Sequence, residues 1–212
     1  MRTERPIRIE VWSDVQCVWC YIGDARWKKA LSDFAGAVEV IHRSFELQPG
    51  FPVDFDAREY LEANRGLGVD EQDRMFAAMQ QTAAEDGLEY RPRDIRPTNS
   101  HLALELLHHA ETVGARAVLS DRLYAAYFAE GRHIGTVDSL LEVAADVGID
   151  ATSARHALES REFAEAVDRD AAAARARGAR GVPFVVIDDA YAIPGAVGVD
   201  QLKKILAQVA ES

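Results

Sequence analysis

The sequence predicts an α/β protein in which a large all-α insertion separates two groups of strands. Three observations lead to this prediction. The chain opens with a strand, helix and strand pattern, its middle is helical in pattern throughout, and it closes with two strands and a helix. No Gly- or Ser-rich linker interrupts this order. We therefore expect the two end segments to form one sheet domain, with the helical block inserted into it.

The first elements are predicted from a change in hydrophobic period. Segment 7–15, IRIEVWSDV, is β-branched and partly alternating, which predicts a strand that ends near Ser13. Segment 38–47, VEVIHRSFEL, predicts a second strand. Between them, apolar residues recur at three- and four-residue steps, which predicts a helix that Gly36 ends; they are Ile22, Trp27, Ala30, Leu31 and Phe34. This arrangement predicts a parallel strand pair with a right-handed crossover.

The remaining chain divides into a helical block and a second group of strands. From about residue 56 to 177 the pattern is helical, and glycines follow many of the segments as helix ends. Segments 182–189, VPFVVIDD, and 190–197, AYAIPGAV, predict strands before a last helix. We predict one domain from residues 1–55 and 165–212, and a helical insertion domain from residues 56–164.

Composition excludes several classes of partner. The 212 residues carry a net charge of −11, and the pI is about 5.0. Nucleic acids and anionic membranes require a basic face, so neither is expected as a partner. No apolar run approaches the roughly 20 residues of a spanning helix, and the N-terminus lacks the apolar core of a signal peptide. We therefore expect a cytoplasmic protein.

The two cysteines of the chain form the motif Cys17-Val-Trp-Cys20. Cys17 follows the first strand at the predicted start of a helix, where unpaired N–H groups and the helix dipole favour an anion. The Cys17 thiolate is that anion and acts as a nucleophile. Cys20 lies one turn further along, within reach of a mixed disulfide formed on Cys17. The spacing therefore predicts an attacking thiol, Cys17, and a resolving thiol, Cys20.

Alternative roles for these residues are weighed by the ligands that they would need. A closed zinc site needs four ligands, and the chain offers neither a second cysteine pair nor an HxxxH pair of histidines, so no metal site is expected. Two inert buried thiols are the other alternative. Asp14, three residues before Cys17, is either a turn residue that ends the strand, or a charge and proton relay next to the thiols.

A second motif lies far along the chain, where Gly181-Val182-Pro183 opens a predicted buried strand. With the cysteine motif and the order of elements, the sequence resembles the thioredoxin fold, and within it the FrnE-like cytoplasmic subgroup of the DsbA-type oxidoreductases. The matching segments span nearly the whole chain: DVQCVWCYIG, SFELQP, PTNSHLALELL, AYFAEG, GVPFVVID and the GA before the last helix. The resemblance implies a cis peptide bond between Val182 and Pro183, and a substrate groove shaped by both.

A sister group also resembles this chain in fold. The 2-hydroxychromene-2-carboxylate isomerases and kappa-class glutathione transferases carry Ser at the first cysteine position, so Cys17 and Cys20 favour dithiol chemistry instead. An isomerase or transferase that uses glutathione on a small organic substrate stays the alternative. Asn99 in PTNSH matches a region near the active site of those relatives. It either contacts a bound thiol or substrate, or caps the helix predicted to start near His101.

The resulting prediction is a thioredoxin-like α/β protein that acts as a thiol–disulfide oxidoreductase. Its partners would be protein thiols and disulfides or low-molecular-weight thiols, and no metal or organic cofactor is needed. Trp19, between the cysteines, is expected to be exposed and to contact substrates, together with Val182, Pro183 and Asn99. The sequence leaves open the direction of electron flow, the physiological substrate and a homodimeric state.

Overall fold

The computed structural model describes residues 5–211. Residues 1–4 and 212, which the prediction assigns to the first domain, lie outside the described residues. The elements of the first and last parts of the chain are β1 (Ile7–Ser13), α1 (Val18–Ser32), β2 (Val38–Ser44), α8 (Ala164–Ala176), β3 (Phe184–Ile187), β4 (Tyr191–Pro194) and α9 (Val199–Glu211). Between β2 and α8 lie α2 (Ala57–Arg65), α3 (Val69–Glu85), α4 (His101–Thr112), α5 (Arg116–Tyr124), a π-helical turn (Ala125–Ala129), α6 (Val137–Asp146) and α7 (Ala151–Glu159).

The four strands form one sheet in the order β2-β1-β3-β4. β1 and β2 are parallel, from Ile7 opposite Val38 to Ser13 opposite Ser44, which confirms the predicted pair. β3 runs antiparallel to β1 and to β4. Because β1 is central, its last residues lie beside the first residue of β3, with Trp12 opposite Phe184. The start of α1 and the segment before β3 therefore meet at one edge of the sheet.

Each face of the sheet is covered by its own apolar cluster, since alternate residues of a strand point to opposite faces. The first cluster joins β1, β3 and β4 to α1 and α9, and its buried members are Ile7, Ile9, Trp27, Ala30, Val185, Ile187, Ile193, Leu202, Leu206 and Val209. The second cluster joins the sheet to α8, and its buried members are Trp12, Phe45, Ala171, Ala174, Ala179, Phe184 and Val186. Both clusters hold β1 and β3 in place at the edge where α1 begins.

The described chain separates into two compact units. One comprises residues up to Leu47 and from Asp168, and contains the sheet; the other, Gln48–Val167, is helical. In the helical unit α4 is mostly buried, whereas α2 has no buried residue. The domain division at residues 55 and 165 stays a prediction.

The end of α1 differs from the prediction. The helix ends at Ser32 with Asp33 as its C-cap, before the expected stop at Gly36. The chain turns out of the helix at Phe34, whose N–H donates to the Leu31 carbonyl in a tight last turn. A glycine near the end of an apolar pattern marks the exit only within a few residues.

Candidate functional site

Cys17 is the N-cap residue of α1. Its backbone is extended (φ −91°, ψ 111°), and no side chain caps this helix. The Cys17 carbonyl accepts from the N–H groups of Cys20 (2.9 Å) and Tyr21 (3.1 Å), which begins the helix. The N–H groups that precede the first intrahelical hydrogen bond have no carbonyl partner within a helix, so they and the helix dipole favour negative charge at the position of the Cys17 sulfur.

The two thiols are in contact but have different environments. Both are free thiols, and Cys17 is 6% exposed whereas Cys20 is 1% exposed. Burial raises the pKa of Cys20 well above its ordinary value, and a hydrogen bond with Cys17 and the negative charge of Cys17 raise it further. A hydrogen bond from the Asp14 main chain acts in the opposite direction on this pKa. Cys20 therefore holds its proton more tightly than an exposed thiol does, in hydrogen-bond contact with Cys17.

The Val182–Pro183 segment lies directly against Cys17. The peptide bond between these two residues is cis. The Cys17 thiol donates to the Val182 carbonyl, with a distance of 3.6 Å between sulfur and oxygen. Pro183 is buried and comes immediately before β3. Four of the predicted site residues, Cys17, Cys20, Val182 and Pro183, are therefore together at one edge of the sheet.

The two tryptophans near the motif differ sharply. Trp19, in the first turn of α1, is 39% exposed. Trp12 is fully buried, and its indole N–H donates to the Asp170 carbonyl at 2.9 Å. An exposed aromatic ring between the cysteines is available to a substrate, whereas Trp12 belongs to the core of the sheet unit.

Asp14 is fully buried and holds two main-chain groups. Its carboxylate accepts from the Gln16 N–H at 3.2 Å and from the Leu47 N–H at 2.7 Å. It thus shapes the turn between β1 and α1 and fastens that turn to the chain after β2. Its charge also raises the pKa of Cys20, as the last of the five contributions. The turn role considered for Asp14 is thus supported by two hydrogen bonds, its charge acts on Cys20, and a proton relay through Asp14 stays a prediction.

Asn99 lies in the helical unit, immediately before the start of α4. Its side-chain oxygen accepts from the His101 N–H at 2.9 Å, across Ser100, which occupies the N-cap position. The predicted start of a helix at His101 is confirmed. The Asn99 oxygen is engaged as a cap, and a contact between Asn99 and a ligand stays a prediction.

Sequence reasoning missed two residues of α1 that contact the Val182–Pro183 loop or the neighbouring Ala196. Gly23 is buried in α1, and a Cβ placed on it would lie 3.3 Å from Pro183 Cγ and 3.6 Å from Ala196 Cβ. The Arg26 guanidinium donates to the Ala196 carbonyl at 3.3 Å. An isolated glycine inside a helical pattern was the available signal, since such a residue often has a packing reason.

Within residues 5–211, no group of three or more His, Cys, Asp or Glu side chains is arranged to hold a metal ion. Among the helices of these residues, none has both the length and the apolar composition needed to cross a bilayer.

Comparison with known proteins now identifies the class. A cysteine pair at the start of the first helix, facing a cis-proline that opens an antiparallel strand, is the arrangement of a thioredoxin fold with redox cysteines. The family model described as DSBA-like thioredoxin domain matches residues 8–207, and the chain belongs to that family. The fold class and the resemblance to DsbA-type oxidoreductases predicted from sequence are confirmed.

Solved structures agree with this assignment. A probable DsbA oxidoreductase, SCO1869 from Streptomyces coelicolor, is 35% identical with a TM-score of 0.92, over 97% of this chain and 91% of that chain. A 2-hydroxychromene-2-carboxylate isomerase is 18% identical with a TM-score of 0.69, over 96% of both chains. The cytosolic disulfide reductase DsbM from Pseudomonas aeruginosa, solved with GSH, is 17% identical with a TM-score of 0.69, over 97% of this chain and 100% of that chain. The last two show a common fold.

Proposed function

We propose that this protein is a thiol–disulfide oxidoreductase in which Cys17 attacks and Cys20 resolves. The observation that carries the proposal is the asymmetry of the pair. Cys17 lies at a helix start without a side-chain cap, next to the Val182 carbonyl, whereas Cys20 is fully buried behind it with a raised pKa. One sulfur is suited to be the thiolate that meets a substrate, and the other is suited to hold a proton until it is needed.

The reaction exchanges one disulfide for another and balances two electrons. The Cys17 thiolate attacks a substrate disulfide, forms a mixed disulfide and releases one substrate sulfur as a thiolate. Cys20 then loses its proton and attacks Cys17, which forms the Cys17–Cys20 disulfide and releases the second substrate thiolate. The substrate is reduced by two electrons and the protein is oxidised by two. The same steps in reverse oxidise a dithiol substrate, and neither direction requires a metal or an organic cofactor.

The substrate groove of this proposal is formed by Val182, Pro183 and Trp19. The backbone of Val182 precedes β3 and already offers its carbonyl to Cys17. The extended segment of a substrate peptide that flanks the substrate cysteine can pair with the Val182 backbone by strand addition. The exposed ring of Trp19 supplies apolar contact area beside the attacking sulfur. Asn99 belongs to the proposed groove only as a prediction from the sister group.

Partners and location follow from the same chemistry. We propose protein disulfides or low-molecular-weight thiols as partners, and a cytoplasmic location. The likeness in fold to a cytosolic disulfide reductase solved with GSH supports both. The net charge of −11 supports a partner that is neither nucleic acid nor an anionic membrane surface.

The test is an equilibrium titration of the Cys17–Cys20 pair against a glutathione redox buffer, followed by tryptophan fluorescence, because Trp19 lies between the two sulfurs. We expect one reversible two-electron transition with a midpoint between about −270 and −120 mV, the span from reducing to oxidising members of this chemistry. The Cys20→Ser variant is the control and should show no such transition. A wild-type protein without a reversible transition would refute the proposed function.

The requirement for Cys20 distinguishes the proposed function from the sister-group alternative, a glutathione-dependent isomerase or transferase. In dithiol exchange, Cys20→Ser leaves the mixed disulfide on Cys17 without a resolving thiol, so mass spectrometry of the variant should detect a covalent adduct with the substrate sulfur. In an isomerase or transferase that uses bound glutathione, the same variant keeps its turnover. Full turnover with no adduct would favour the alternative.

A further inference from the structure

α1 contacts the Val182–Pro183 loop a second time, one turn beyond Cys20. Gly23 is buried there, and a Cβ on this residue would lie 3.3 Å from Pro183 Cγ and 3.7 Å from Pro183 Cβ. The shorter distance is tighter than nearly all real Cβ contacts, so the proline ring would have to move by a few tenths of an ångström. Gly23 therefore fixes how closely the helix and the loop approach each other.

The loop is itself tied to the segment after β4. The Gly195 N–H donates to the Pro183 carbonyl at 2.8 Å, and Gly195 has a φ of +76°, which favours glycine. Ala196 follows, and its Cβ lies 3.6 Å from the Cβ position of Gly23. Arg26, one turn after Gly23, donates to the Ala196 carbonyl at 3.3 Å. The helix thus meets the loop at Pro183 and holds its neighbour through Arg26.

We propose that Gly23 and Arg26 are positioning residues that set the Val182–Pro183 backbone against Cys17 and thereby favour peptide disulfides over small disulfides as substrates. The inference rests on the proposed function. A peptide substrate uses both the Cys17 sulfur and the Val182 backbone, so it depends on the distance between them. A small disulfide without a peptide backbone needs only the sulfur. Displacement of the loop should therefore lower the reaction rate with peptide disulfides and leave the rate with small disulfides unchanged.

The choice of residue at position 23 supports this role. Glycine inside a helix is less stable than alanine, because its backbone loses more conformational freedom on folding. The buried Gly23 therefore makes α1 less stable than alanine would, and glycine is needed here because the Pro183 ring approaches so closely. Arginine at position 26 has a matching reason, since its guanidinium reaches the Ala196 carbonyl from the next turn of the same helix.

The experiment compares two substrates, a disulfide-bonded peptide and 2-hydroxyethyl disulfide, in wild type and Gly23→Ala. We expect the second-order rate constant with the peptide to fall about tenfold, since displacements well under 1 Å already impair a reaction geometry. We expect the rate with 2-hydroxyethyl disulfide to stay within about twofold, because it does not use the loop. Gly198→Ala is the matched control: a Cβ there meets nothing within 4 Å, so neither rate should change.

A second variant keeps the inference open to refutation if Gly23→Ala does not fold by circular dichroism. Arg26→Ala removes the hydrogen bond to Ala196 without adding an atom, and should lower the peptide rate about threefold with the small-disulfide rate unchanged. Lys29→Ala, which removes another cation of α1, is its control. Unchanged peptide rates in the folded variants, or equal falls with both substrates, would overturn the inference. A wild-type protein that reduces neither disulfide would instead refute the proposed function.

Discussion

The two helix starts that carry predicted site residues differ in how their first N–H groups are used. At the start of α1, Cys17 occupies the N-cap position, and no side chain caps the helix. At the start of α4, the Asn99 oxygen accepts from the His101 N–H at 2.9 Å. The entrance of a helix thus holds an uncapped cysteine in the sheet unit and an oxygen cap in the helical unit.

The difference shows what makes a helix start chemically useful. A short oxygen-bearing side chain satisfies a first-turn N–H group and stabilises the helix. Sulfur is a poor acceptor, so a cysteine at this position leaves those groups and the helix dipole to act on its own charge. At Cys17, α1 lacks the stabilisation that a side-chain cap provides, and its first N–H groups act on the sulfur instead. At Asn99, the side-chain oxygen stabilises the start of α4. Five predictions test this contrast, from the largest expected effect to the smallest.

Removal of the sulfur at the start of α1 should have the largest effect. Cys17→Ser should lower the rate of disulfide reduction by at least about 1000-fold, as is typical when a covalent nucleophile is lost. The reason is that a serine hydroxyl is a far weaker nucleophile toward a disulfide than a cysteine sulfur and forms no mixed disulfide. Stopped-flow or coupled turnover with a disulfide-bonded peptide measures this, and circular dichroism confirms the fold. Residual dithiol turnover near the wild-type rate would contradict the role of Cys17.

The contrast between the two thiols should appear as selective alkylation. Because burial raises the pKa of Cys20, iodoacetamide at neutral pH should modify Cys17 at least about tenfold faster than Cys20 in the reduced protein. Peptide mapping by mass spectrometry after timed quenching measures both rates. Faster modification of Cys20 would reverse the assignment of attacking and resolving thiols.

The same raised pKa sets the sign of a stability effect. The folded protein holds the Cys20 proton more tightly than the unfolded chain does, because burial raises the Cys20 pKa well above its ordinary value of 9.0. The resulting stability is fully present below about pH 9 and is lost as the pH rises through the folded pKa. Cys20→Ala should therefore reduce the decline of the unfolding free energy above pH 9, measured by urea denaturation across this range.

Loss of the cap at the start of α4 should affect stability and leave chemistry unchanged. Asn99→Ala removes the acceptor of the His101 N–H and should lower the unfolding free energy by about 1 kcal/mol. Turnover should remain at the wild-type rate. Asn99→Asp, which retains the acceptor, is the matched control and should restore most of the stability. A fall in turnover without a loss of stability would instead support a contact between Asn99 and a ligand.

The smallest effect is expected at Trp19. Trp19→Ala should weaken binding of the peptide substrate by about threefold, because truncation of most interface residues lowers the binding free energy by under about 1 kcal/mol. The unfolding free energy should change little, since the side chain is 39% exposed. The measurement is KM and kcat with the peptide disulfide. An unchanged KM would remove Trp19 from the proposed groove.

Several parts of the fold followed from local pattern. The alternating residues of segment 7–13 and the β-branched segment 38–44 predicted the parallel pair of β1 and β2. The helix start at His101 also followed from local sequence. The helical pattern of residues 56–177 gives no sign of the π-helical turn that follows α5 from Ala125 to Ala129. Helical periodicity does not reveal one extra residue in a turn.

The sequence by itself determined which residues could carry the proposed thiol–disulfide exchange. It shows two cysteines separated by two residues after a strand, a distant Gly-Val-Pro, and an order of elements that resembles one fold family. These are local or countable features, and they require no knowledge of distance. Only the tertiary structure decided that Cys20 is the more deeply buried thiol, that the Cys17 sulfur lies 3.6 Å from the Val182 oxygen, and that Gly23 lies against Pro183. Burial and approach depend on residues about 160 positions apart, brought together by the pairing of β1 with β3. No local pattern records such distances.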